Sequence, residues 1–202
     1  MNFKSIVKSR GGRIAMVAVP VGIVAAVVMG GVAQGAVPVS FSISGTSFTM
    51  GGTELDGTSF SQYGGVAKLQ DGKQVPVAIA NIGSATISNL CQAVQTDTPA
   101  GKVGLVITAG DKEGAPVKAQ NLQIGMTDLK GDAVFSNIRI GTDAASVVTD
   151  AKGSAGDFAQ DSQGITLKNF SQVAYSTTAG TLALSDMHLK VVTDGSGCPA
   201  AK

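Results

Sequence analysis

Ile165-Thr166-Leu167-Lys168-Asn169-Phe170-Ser171-Gln172-Val173-Ala174-Tyr175 is the stretch that decides the fold. Ile165 and Leu167 alternate with polar neighbours, as apolar residues do on the buried face of a strand. Phe170 follows Leu167 by three places, so the alternation changes parity at Lys168-Asn169. A strand that kept its pleat would turn Phe170 to the opposite face. One extra residue restores the inward direction, which predicts a β-bulge or a sharp bend with Asn169 at the irregular position. Asn suits that place because it tolerates left-handed backbone geometry and bonds its own neighbourhood. Val173 and Tyr175 complete a further alternation.

The same apolar, polar, Asn/Asp, apolar pattern recurs at Ile87-Ser88-Asn89-Leu90, Met126-Thr127-Asp128-Leu129, Phe135-Ser136-Asn137-Ile138 and Leu184-Ser185-Asp186-Met187. Gly and β-branched residues crowd these windows, which argues against helix. The spacing is too uneven for a strict rung repeat. The expectation is all-β: a single irregular β-domain, either solenoid-like or a bulged antiparallel sandwich or open barrel. Residues 141–164, rich in Gly, Ala, Ser and Asp, read as a long surface loop with a short helical turn near Asp143 to Val148. Asp71-Gly72-Lys73 and Gly110 to Gly114 read as turns.

Composition agrees. Aromatics are 4% of the 202 residues, Trp is absent, and charged residues are 14%, well below the usual quarter. That mixture suits neither a helical bundle nor a disordered chain.

The N-terminus reads as an export segment over residues 1–35. Lys4, Lys8, Arg10 and Arg13 precede an apolar run from Ile14 to Met29, and small residues follow. Ala33 and Gly35 fit the −3 and −1 places of a cleavage site, with Ala36 starting the mature domain, residues 36–202. The alternative is an uncleaved anchor, since residues 14–33 are long enough to span a bilayer. Pro20 and Gly30-Gly31 weaken such a helix. The mature part carries eleven basic and fourteen acidic residues, a net charge of −3. It has no basic cluster for nucleic acid.

Cys91 and Cys198 are the two cysteines. An even count in an exported chain reads as one disulfide. His188 is the single histidine, flanked by Met187 and Leu189, and the alternation turns it away from the core. A hydrolase would need a nucleophile activated by it, and the G-x-S-x-G elbow is missing. Asp143, Asp150, Asp157 and Asp161 are spaced too widely for a known calcium loop. No catalytic residue, metal site or cofactor is assigned.

Several longer runs carry a resemblance. They are Val39-Ser40-Phe41-Ser42-Ile43-Ser44-Gly45, Leu55-Asp56-Gly57-Thr58-Ser59-Phe60 with Gln62-Tyr63-Gly64, and Ser84-Ala85-Thr86-Ile87-Ser88-Asn89-Leu90-Cys91-Gln92. Ala119-Gln120-Asn121-Leu122, Gly156-Asp157-Phe158-Ala159-Gln160 and Thr177-Thr178-Ala179-Gly180-Thr181 complete them. With them the chain resembles an actinobacterial secreted family of unknown function whose members often bear the label "cholesterol esterase". The resemblance implies secretion or a cell-surface location and a membrane partner in the envelope. The label finds no nucleophile here. The expected role is a non-catalytic envelope or secreted protein that binds an apolar ligand, such as a lipid, or a membrane-protein partner. The alternative is a structural surface protein assembling through strand edges, and a lipid-ester hydrolase ranks last. Oligomeric state is not fixed by these residues.

Overall fold

The structure is a computed structural model that describes residues 42–43, 45–99 and 101–198. The export segment, with Ala33, Gly35 and Ala36, lies outside the described residues. Ten strands make up most of the described chain. They are β1 (Ser42–Ile43), β2 (Phe48–Leu69), β3 (Gln74–Ser88), β4 (Leu90–Thr98), β5 (Gly101–Ala109), β6 (Val117–Ser136), β7 (Arg139–Asp143), β8 (Phe158–Thr178), β9 (Thr181–Ala183) and β10 (His188–Val192).

The sheet runs β10-β5-β4-β2-β3-β6-β8-β7, with β1 on β2 and β9 on β6. A further pairing of β2 with β8, Phe48↔Ala174 to Gly52↔Phe170, joins β2, β3, β6 and β8 into a small barrel. All pairs are antiparallel except β1 with β2. A solenoid stacks strands in parallel, so that alternative is overturned and the bulged antiparallel one holds.

The bends are where parity breaks. Asn89, Asn137, Asn169 and Asp186 all have φ near +50°, in the left-handed region. At Asn169, two residues of β8 oppose Gly131 of β6, a bulge. Leu167 before it and Phe170 after it are therefore both buried. After the bulge the inward residues are Phe170, Gln172 and Ala174, whereas Val173 and Tyr175 are half-exposed. The alternation expected of Val173 and Tyr175 thus points the other way. At the Asp128 copy the extra residue is Thr127, between the pairs Met126↔Ala174 and Asp128↔Val173. Asp128 itself is not left-handed.

Two bends escaped the pattern: Ser59 (φ 54°) and Asn121 (φ 50°). They flank Gly83, which lies between them across β2, β3 and β6. A Cβ on Gly83 would stand 3.1 Å from Ser59 Cβ. Leu55 before this row and Phe60 after it both reach the core, as do Val117 and Ala119 before, and Leu122 and Ile124 after. A second row aligns Asn89, Gly110 and Asp186. The Asn89 N–H donates to Gly110 O, and the Gly110 N–H to Ser185 O, each at 2.8 Å. Beyond it the strands continue into the outer sheet β4-β5-β10.

Eighteen buried residues fill the main core, among them Leu55, Phe60, Ile82, Ile87, Leu122 and Phe170. Their side chains occupy the barrel interior, as in other small barrels. The expected loop 141–164 is shorter. Asp143 pairs with Phe158 and Arg139 with Asp161, so both flanks are strand and the connection is 144–157. A 3-10 turn, Ala144–Ser146, opens it, capped by Asp143 Oδ1 accepting from the Ala145 N–H at 2.8 Å. Ala144, Val147 and Ala159 pack there with Tyr63 as a small second core.

Candidate functional site

Two features stand out on the surface, and strand register builds both. The first is a cleft of about 440 Å³ on the outside of the barrel. Leu55, Ala85, Ile87, Val117, Ala119 and Ile165 point inward in this half. The residues between them therefore point out. Lys118, Thr86 and Asp56 stand in one cross-strand row. Thr166 Oγ1 donates to Asp56 Oδ1 at 2.7 Å, and Val134 pairs with Thr166. Gln120, Ser84 and Thr58 form the next row, the last two hydrogen-bonded at 2.7 Å. Ser136 and Gly164 close it. β6 bounds the cleft twice: its start pairs with β3 and its end with β8.

The second feature is the outer sheet, whose two faces differ. On one, Leu189, Ile107, Gln92 and Met50 lie in register, and Val191, Leu105, Val94 and Phe48 follow two residues along. Cross-strand partners share a face. Apart from Gln92 this face is apolar, and it runs from the core at Met50 out to β10. There Leu189 is 48% exposed and Val191 61%. Among the described residues, β10 is an edge strand of the sheet. The other face carries Ala93 and Val192, both buried. The C-terminal tail lies over it. Gln95 Nε2 donates to Gly195 O at 2.7 Å, and Cys91 is bonded to Cys198.

The remaining candidates have other partners. Asp161 is fully buried, and the Arg139 guanidinium binds both its oxygens, Nε to Oδ1 at 2.8 Å and Nη2 to Oδ2 at 2.6 Å. The Val148 N–H adds a third bond at 2.7 Å. Arg139 first, with Val148 assisting, holds the Asp161 carboxyl below the usual carboxylate range. Asp143 is also held low, by the Gly156 and Ala145 N–H groups. The two aspartates thus order loop 144–157, and among the described residues no three His, Cys, Asp or Glu converge on a metal position. A hydrogen-bonded chain runs from Gln123 through Asn81 and Ser61 to Thr149 of that loop. Burial raises the Tyr63 phenol nearby, with a bond to Asn81 partly offsetting it. His188 is exposed on β10 opposite Thr108. Asp186 sits at the left-handed bend before β10.

The cleft residues carried no sequence signal as a group. Their neighbours in the chain did: Leu55 to Phe60, Ser84 to Ile87 and Ala119 to Leu122 are runs distinctive enough to single out, and each sends one or two polar side chains into the cleft.

A family model described as "Family of unknown function (DUF6230)" matches residues 44–199. No curated protein and no solved structure matches the chain.

Proposed function

The chain belongs to DUF6230, a family of unknown function, and from that premise we propose that it is an exported, non-catalytic domain of the cell envelope that docks onto a membrane protein through β10. The apolar face of β4-β5-β10 carries this reading. Large apolar side chains on a free edge strand mark a docking surface. The edge adds unpaired backbone groups, which a strand of another protein can satisfy and a lipid tail cannot. The mature charge of −3 also gives anionic headgroups no attraction. The Cys91–Cys198 bond supports an oxidising compartment, as does the export segment expected at residues 1–35. A filled core supports docking over storage of a lipid inside the barrel.

The test is a photo-crosslinking residue at Leu189 in the full chain, expressed in its own host. A crosslink to an integral membrane protein, lost in Val191→Asp, is expected. Adducts only to a second copy would favour edge-to-edge assembly instead, and adducts only to lipid would overturn the protein partner. Measured ester hydrolysis that falls with His188→Ala would overturn the non-catalytic reading.

A further inference from the structure

We propose that the cleft on the outside of the barrel is a carbohydrate-binding site, separate from the docking face and independent of it. The cleft lies within the roughly 300–1,000 Å³ range of small-molecule sites. Hydroxyls supply most of its polar groups: Thr58, Ser84, Thr86, Ser136 and Thr166 all line it, beside Ala85, Val134 and Ile165. Each hydroxyl can accept a hydrogen bond, and all but Thr166 and one of the Thr58–Ser84 pair keep a hydrogen to donate. Sugar hydroxyls have the same dual capacity.

Two hydrogen bonds fix the lining in advance. Asp56 Oδ1 accepts from Thr166, which leaves Asp56 Oδ2 free to accept from a ligand hydroxyl. Thr58 and Ser84 share one hydrogen between them, so one hydroxyl hydrogen of the pair remains to donate. Lys118 stands two strands from Asp56 in the same row, about 10 Å away at ordinary strand spacing. Gln120 adds an amide beside it. Val134, 68% exposed at the rim, offers an apolar contact for the C–H face of a sugar ring.

Other ligand classes fit less well. A purely apolar ligand would strip water from the Thr86 and Ser136 hydroxyls, the Lys118 ammonium and the free Asp56 oxygen and give nothing back. A polyanion meets the Asp56 carboxylate, and a polycation meets Lys118. A neutral polyhydroxylated molecule uses all of these groups. The small residues also fit: Gly164 lacks the side chain that would crowd the floor, since a Cβ there would stand 2.7 Å from Ser136 Oγ. Its φ is not in the left-handed region, so larger residues are tolerated by the backbone.

The experiment is calorimetric titration of the full chain, held in a detergent without a sugar headgroup. The probes are maltose and N-acetylglucosamine, with diglycine and inorganic phosphate as comparisons. Saturable binding of at least one sugar is expected. Gly164→Val should abolish it by filling the cleft. Thr58→Val should weaken it about fivefold, one neutral hydrogen bond. Unchanged thermal unfolding of both variants would show that the fold survives. Leu189→Asp should leave sugar binding intact, which separates this site from the docking face. Three results would overturn the proposal: no saturation by either sugar, binding of diglycine or phosphate alone, or binding indifferent to Gly164→Val.

Discussion

At Asn169 the backbone adopts φ 47° inside a strand, a conformation that costs a residue with a Cβ about 1–2 kcal/mol unless its side chain compensates. Asn169→Gly is therefore expected to leave stability within a few tenths of a kcal/mol. Asn169→Val should lower it by about 2 kcal/mol, because a β-branched residue is the worst fit there. Urea unfolding midpoints of the two variants check this. Opposite it, Gly131 (φ 147°) faces Phe170 so closely that a Cβ would stand 2.9 Å from Phe170 Cα. The bulge thus needs a residue that tolerates positive φ at position 169 and a glycine at 131.

Arg139 and Asp161 make the second residue-scale case. The folded Asp161 pKa is depressed. The pair's contribution is therefore complete above the unfolded carboxylate value, about 3.9, and is lost as pH falls through the lower folded value. Arg139→Met leaves a buried unpaired carboxylate and should lower stability at neutral pH, by less than for a fully buried pair because Arg139 is 54% exposed while Asp161 is wholly enclosed. Burial without the guanidinium then raises the Asp161 pKa. Acid relieves the variant, and its deficit against wild type should shrink as pH drops. A deficit constant from pH 7 to 3, measured by denaturant unfolding, would contradict this account.

Among elements, the outer sheet depends on a tail that has no regular structure of its own. The disulfide joins residues 107 apart, and closing a loop of that length is worth about 4.7 kcal/mol in chain entropy, with measured values usually nearer 2–4. Cys198→Ala should lower stability by about 3 kcal/mol. It should also raise hydrogen exchange at Ala93 and Val192, beneath the tail, more than at Leu122 or Ile165 in the barrel. Equal acceleration everywhere would mean that the tail does not act locally. The strands themselves were legible at this scale. Four of the five Asn/Asp copies mark left-handed bends because the pattern records both requirements at once, a parity change and a residue that tolerates positive φ. Asn121 lies outside the pattern because Gln120 stands where Ser, Thr or Lys is expected, and Ser59 because it is neither Asn nor Asp. The Asp128 copy misled for a related reason: a bulge there uses Thr127 and no left-handed residue. The connection is shorter than residues 141–164 suggest because the small, polar residues at both of its flanks pair as strands in β7 and β8.

For the whole molecule, pairing joins strands that are distant in the chain, such as Phe48 with Ala174 and Leu189 with Ile107. Loop closure must precede the contacts that reward it. Folding should therefore relax in milliseconds to seconds or more slowly, as in other non-local β topologies. Stopped-flow tyrosine fluorescence, with Tyr63 on the second core as reporter, checks this. Microsecond relaxation would contradict the barrel.

The sequence by itself determined the all-β class, the places where most strands bend and the cysteines available to pair, because parity, backbone tolerance and composition are local properties written residue by residue. Only the tertiary structure decided that the strands run antiparallel, that β2 meets β8 to close a barrel, and that Asp56, Ser84, Gln120, Ser136 and Thr166 share one cleft. Those depend on register between distant strands. Register is chosen by the burial of both faces together, a quantity that no single stretch of chain contains.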